Sequence, residues 1–149
     1  MPGHNEGYTK YMPGIHAGQI GYKGFFDNKT ELDLEDDAAY VNWGSGWRMP
    51  TEQQIYELQS ECEWTWAILS GVDGYKVTGP NGNFIFLPAA GCRIDSSLCY
   101  AGSIGHYWSS SLFASIPYYA YYLDFNSDLV EWYYYGDRYY GRSVRPVCP

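Results

Sequence analysis

Several features that would place a chain quickly are missing from this one. It has no apolar run near the roughly 20 residues that a membrane-crossing helix needs. Its first residues, Met1-Pro2-Gly3-His4-Asn5-Glu6, lack both the basic end and the apolar stretch of an export signal. Direct membrane insertion is therefore not expected, and an exported form would take its signal or anchor from outside this numbering. Histidine is scarce. His4 and His16 lie in an irregular lead-in and His106 beside a Tyr-Trp pair, none with a ligand partner at helical spacing or a Ser or Cys in a nucleophile motif. No catalytic residue, metal ligand set or cofactor is expected, and the chain does not read as an enzyme.

Cysteine is sparse and unclustered. Cys62, Cys92, Cys99 and Cys148 form no CxxC pair, which makes a zinc site improbable. A disulfide, for example from Cys62 to Cys148, and a set of reduced thiols both stay open. Positive charge is short as well: the net charge is −8, and most of the 17 acidic residues precede Gly71. An acidic chain without a basic patch argues against nucleic acid as a partner. Glu35, Asp36 and Asp37 are consecutive, so on a helix they point in different directions and read as charges favouring its N-terminus.

What the sequence does have is a core large enough for one domain, with 46% hydrophobic residues in 149. Residues 1–27 form an irregular lead-in, and residues 28–149 carry the folded domain. Leu34, Ala38 and Val41 share a helical face that ends at Gly44. Pro50 precedes a second helix, where Thr51 and Gln54 make a capping-box pattern and Ile55, Leu58 and Cys62 share a face. From Gly74 the rhythm becomes that of antiparallel sheet. Tyr75 to Thr78 and Asn83 to Leu87 flank a Pro80-Asn81-Gly82 turn, and later strands are expected near 106–110, 118–125, 130–135 and 142–147.

Alternation assigns faces to the late strands. Tyr119, Tyr121, Leu123 and Phe125 should be buried, with Tyr118, Ala120, Tyr122 and Asp124 opposite; in the next strand Val130, Trp132 and Tyr134 should point inward and Glu131, Tyr133 and Tyr135 outward. Exposed tyrosines on neighbouring strands make an aromatic surface of a kind that soluble proteins carry for binding.

Four motifs carry a resemblance. They are Gly46-Trp47-Arg48-Met49-Pro50-Thr51, Phe86-Leu87-Pro88-Ala89-Ala90-Gly91, Tyr107-Trp108-Ser109-Ser110-Ser111 and Arg142-Ser143-Val144-Arg145-Pro146-Val147. In this order they resemble the C-type-lectin-like domains of gut Bacteroidetes and their phages, including the variable proteins of diversity-generating retroelements. The resemblance implies an α+β fold, two helices packed on antiparallel β-sheets, with a variable ligand-binding half at about 92–140. It also implies a place on a bacterial cell surface or a phage tail.

In such proteins, template adenines are copied unfaithfully, so that Asn-type codons become many others but never Lys, Gln, Met, Glu or Trp. Consistent with that rule, no lysine follows Lys76, no glutamine follows Gln59 and no methionine follows Met49; Glu131 is the exception among glutamates after Glu63. Trp108 and Trp132 would then be framework.

The expected ligand-facing residues are Asp95, Leu98, Tyr100, Ile104, His106, Phe113, Ile116, Tyr118, Tyr122, Asp124, Asn126, Tyr133, Tyr135, Asp137 and Tyr139. Tyr107, Tyr119, Tyr121 and Tyr134 are expected in the core. Tyrosine suits such a surface because it offers large area, a polar tip and few rotatable bonds. The expected partner is a protein or cell-surface ligand. Two alternatives stand beside this reading: a fixed carbohydrate- or matrix-binding adhesion module of a surface lipoprotein, and a formylglycine-generating type of enzyme using Cys92 and Cys99. The calcium motifs of calcium-dependent lectins are absent, so sugar binding through calcium is not expected.

Overall fold

The computed structural model describes residues 29–116 and 119–148; the lead-in of residues 1–27 and Tyr118 lie outside them. The architecture is α+β. Among the described residues, helices α1 (Ala38–Trp43) and α2 (Glu52–Glu61) precede eight strands: β1 (Glu63–Leu69), β2 (Val72–Thr78), β3 (Phe84–Pro88), β4 (Cys92–Ile94), β5 (Ser97–Cys99), β6 (Gly105–Leu112), β7 (Tyr119–Phe125) and β8 (Val130–Asp137). They form three antiparallel sheets, ordered β1-β2-β3, β4-β5 and β6-β7-β8. No helix among the described residues is long and apolar enough to cross a membrane.

Helix α2 starts where its sequence says it should. The Gln54 amide donates to Thr51 Oγ1 at 3.2 Å and the Thr51 amide to Gln54 Oε1 at 3.0 Å, which satisfies two donors the helix leaves free. Ile55 is buried in the core, and Leu58 and Cys62 pack against it.

Helix α1 is shorter than its pattern suggests. Asp37 is its N-cap: the carboxylate accepts from the amides of Ala39, Tyr40 and Met49, and the last of these bonds ties the Gly46 to Thr51 motif to the helix. Leu34 therefore precedes the helix, and Leu34 and Val41 are exposed while Ala39 is the buried residue. The expected Leu34, Ala38, Val41 face is not the packed one.

Strand β1 follows α2 without an intervening turn. Its alternation sends Trp64 and Trp66 toward the core, where they meet Tyr75 at 5.4 and 5.1 Å. The hairpin of β2 and β3 turns at Gly79 to Asn83, with the amides of Gly79 and Gly82 bonded to Asn83 and Gly79 carbonyls. Phe125, 0% exposed, is the centre of the core: Tyr107 stacks on it at 5.9 Å and Tyr75 meets it edge-on at 5.3 Å. Side chains of this size contribute about 1.5–3 kcal/mol each when buried, and aromatic pairs about 0.5–1.5 kcal/mol more. Gly105 faces this ring because a Cβ there would lie 2.0 Å from Phe125 Cζ.

The serines of β6 join it to β7 and to the start of α2. Ser109 Oγ donates to the Tyr121 carbonyl at 2.8 Å, the Ser110 amide to the Pro50 carbonyl at 2.8 Å, and the Glu52 amide to Ser111 Oγ at 3.0 Å. Glu31 bonds to the hydroxyls of Ser110 and Ser111. The C-terminal residues near 142–147 form no strand of their own. They run beside β6 at Ser143 and pair with Arg48 at Val147. The motifs that carry the resemblance thus meet each other in space.

Candidate binding face

In an antiparallel pair, residues directly opposite share a face. Register places His106 opposite Asp124, Trp108 opposite Tyr122, and Tyr122 opposite Tyr134. The other face carries Tyr107 opposite Leu123, Tyr121 opposite Tyr135 and Tyr119 opposite Asp137.

The two ends of β8 do not keep one alternation. Tyr122 pairs with Tyr134, but Asp124 pairs with Glu131, so β8 carries one residue more than β7 across this stretch. Such a bulge flips every side chain beyond it. It moves Tyr134 onto the face of Tyr122 and Tyr135 onto the face of Tyr119 and Tyr121. Tyr134, expected in the core, is 46% exposed, and Tyr135 stacks on Phe113 at 4.3 Å on the opposite side of the sheet.

Tyr122 corrects the expectation most sharply. It is 6% exposed, enclosed by His106, Trp108 and Tyr134 at ring separations of 5.3–5.6 Å and by the Arg142 guanidinium, whose Cζ lies 3.9 Å from its ring centroid. The reason is the C-terminal segment: Ser143 pairs with β6, and this lays Arg142 across the sheet, with Cζ 4.1 Å from the Trp108 centroid and Nη1 donating to the Asp137 carbonyl at 3.0 Å. Burial lowers the Arg142 pKa, partly offset by the Tyr122 hydroxyl, and burial raises that of Tyr122. Arg142 was not among the expected site residues, yet it packs on the rings of Trp108 and Tyr122.

Around this floor the remaining residues sort themselves. His106 Nε2 lies 2.6 Å from Asp124 Oδ1, so these two are half-buried partners of each other. Asn126 Oδ1 accepts from the amides of Asp128 and Leu129, which makes its carbonyl part of the β7-β8 turn. Asp137 is half-buried, and burial raises its carboxyl pKa, with Arg142 opposing. Tyr139 is also half-buried; its hydroxyl donates to that of Tyr140 at 3.2 Å, the largest cause of its raised pKa.

Outside this floor lie the exposed residues. Tyr133 is 52% exposed on β8. Asp95 and Leu98 are exposed on the β4-β5 hairpin, and Tyr100, 58% exposed, follows it. Asp95 and Tyr100 hold φ of 52° and 61°, a left-handed backbone that Asn and Asp tolerate far better than a bulky residue does. Ile104 is half-buried below Tyr100, its amide bonded to the Tyr100 carbonyl. Phe113 and Ile116 are half-buried beyond β6, with Phe113 against Tyr119, Tyr121 and Tyr135. Tyr119 and Tyr121, expected in the core, are half-buried there. The expected residues therefore occupy two sides of one sheet and the adjoining hairpin.

One further group lies apart. Ligand atoms of Asp33, Glu35 and Asp36 fall within 4.8 Å of one another, closer than the sequence suggested for Glu35 and Asp36, and Lys29 pairs with Asp33.

Compared with profiles of known protein families, with curated proteins and with solved structures, the chain matches none of them.

Proposed function

We propose that this chain is a ligand-binding variable protein with a C-type-lectin-like fold, diversified by a retroelement. It recognises a protein or cell-surface ligand through aromatic side chains held on a rigid sheet, and it does so without chemistry. The supporting observation is the run Tyr133, Tyr134 and Tyr135, each about half exposed on edge strand β8, which Val130 and Trp132 anchor to the core; Tyr134 lies on the face of Tyr122 and Tyr135 on the other. Anchors of this kind, displayed without loss of side-chain order, dominate binding energy in protein interfaces. The left-handed backbone at Asp95 and Tyr100 adds support, since Asn-type template codons suit such positions. A surface location on a bacterium or phage tail belongs to the same reading.

The test is the DNA around the locus in several isolates. A reverse transcriptase gene beside a near-repeat that differs only at adenines, with codon scatter at Tyr133 and Tyr100, is the expected result. Agreement of all isolates at those positions, with no such repeat, would leave the fixed adhesion module as the better reading. Tyr122 and Asp124 do not separate the two, because burial and the His106 pair constrain them under either.

A further inference from the structure

All four cysteines are free thiols, and two of them stand opposite one another. Cys92 on β4 pairs with Cys99 on β5, at the end of a hairpin whose tip is Asp95 and Ser96. Opposed residues of an antiparallel ladder project to the same side with Cβ atoms about 4.5–5.5 Å apart. A disulfide spans about 3.5–4.5 Å, so a small approach of the strands suffices. Neither Cys62, at the end of α2, nor Cys148, beside the Arg48 pairing, has a cysteine across a ladder.

We propose that Cys92 and Cys99 are a dithiol modification site, oxidised reversibly to a cross-strand bridge by a small disulfide of the glutathione class. The hairpin is held for this reaction. A Cβ on Gly91 would lie 2.0 Å from the Cys99 carbonyl oxygen, so the two strands are already in close contact, and the Gly91 amide is bonded to the Ile104 carbonyl.

Access sets the order of events. Cys99 is half-buried and Cys92 is buried, so the Cys99 thiolate attacks first. It forms a bond to one sulfur of the reagent and expels one glutathione thiolate, which takes up a proton. Cys92 then gives its proton to solvent, and its thiolate displaces the second glutathione. Two protein thiols and one disulfide become one protein disulfide and two small thiols. Burial raises the Cys92 thiol pKa, while Arg142 opposes that shift, so this second step quickens as pH rises. Because the bridged hairpin carries Asp95 and Leu98 and leads to Tyr100, the bond state sets how rigidly these are presented.

The native protein is incubated with oxidised glutathione, alkylated and digested with trypsin. Cleavage after Arg93 separates Cys92 from Cys99 in sequence, so only a bridge keeps fragments 77–93 and 94–138 together. The expected result is that linked pair, a mass loss of about 2 Da and disappearance of two of the four thiols. The double variant Cys62→Ser, Cys148→Ser should bridge at the native rate, and Cys92→Ser should stop at a glutathione adduct on Cys99. Unlinked fragments, adducts on both cysteines of the native protein, or a bridge to Cys62 or Cys148 would each overturn the proposal.

Discussion

Replacing Arg142 by alanine tests whether the binding face rests on a stacked guanidinium. Its Cζ lies 4.1 Å from the Trp108 centroid and 3.9 Å from that of Tyr122, and Nη1 donates to the Asp137 carbonyl at 3.0 Å. Each desolvated cation–π contact is worth about 1–2 kcal/mol, and a hydrogen bond from a charged group about 1.5–3 kcal/mol. Against this stand the burial that lowers the arginine pKa and an Nε that is buried without a partner, together costing about 2 kcal/mol. Arg142→Ala removes the favourable contacts and uncovers two rings, for a loss of about 3 kcal/mol. In a domain of this length that lowers the melting temperature by about 6–12 °C. Arg142→Lys keeps the charge but not the planar stack, and should lose about half as much. Urea unfolding at pH 7, followed by tryptophan fluorescence, measures both. An alanine variant within about 0.5 kcal/mol of the native protein, or a lysine variant equal to it, would refute the reasoning.

Other outcomes follow from single contacts. Burial pushes the Tyr107 hydroxyl up to about 12, against an ordinary value of 10.0. A raised acid pKa means the fold favours the neutral form, so stability present below pH 10 is lost as pH rises through 12, at about 1.4 kcal/mol per unit. Tyr107→Phe should be less stable than the native protein at pH 8, losing the bond to the Pro88 carbonyl, and the difference should shrink or reverse by pH 11.5 in paired urea titrations. A constant gap across that range would contradict it. Gly105→Ala drives a methyl into Phe125, and a loss of about 3 kcal/mol or more is expected by thermal unfolding; a neutral effect would mean that the ring can move. Thr51→Ala breaks the capping box and should cost about 1 kcal/mol in the same assay, while Tyr133→Ala should cost less than about 0.5 kcal/mol.

How much of this was legible in the sequence depends on the range of the interaction. The α2 capping box is local chemistry written in Thr51 and Gln54, and it is found as read. The β2-β3 hairpin is likewise announced by its turn residues. Of the face that period-two alternation assigns to the core, Leu123 and Phe125 are buried while Tyr119 and Tyr121 are only half-buried. Alternation failed where a bulge intervenes. Nothing in Trp132-Tyr133-Tyr134 marks an extra residue, because three aromatic side chains in succession fit either face.

Tyr122 was misplaced for a different reason: what covers it is Arg142, twenty residues later along the chain in sequence but adjacent in space. A sheet face can be assigned from its own strand, whereas a segment that crosses it leaves no signal there. The β4-β5 hairpin, with strands of three residues, is too short for a periodic signature. Strand β1 was missed although Glu63-Trp64-Thr65-Trp66 alternates, since no turn residue separates it from α2.

The claim on which the account turns is that a fixed framework presents replaceable side chains. Saturation mutagenesis of residues 92–140, with folded protein selected by resistance to proteolysis, measures it directly. Broad tolerance is expected at Leu98, Tyr133 and Tyr134, and narrow tolerance at Gly105, Tyr107, Trp108, Tyr122, Leu123 and Phe125. Free substitution at Tyr122 and Phe125, or intolerance across Tyr133 and Tyr134, would contradict it.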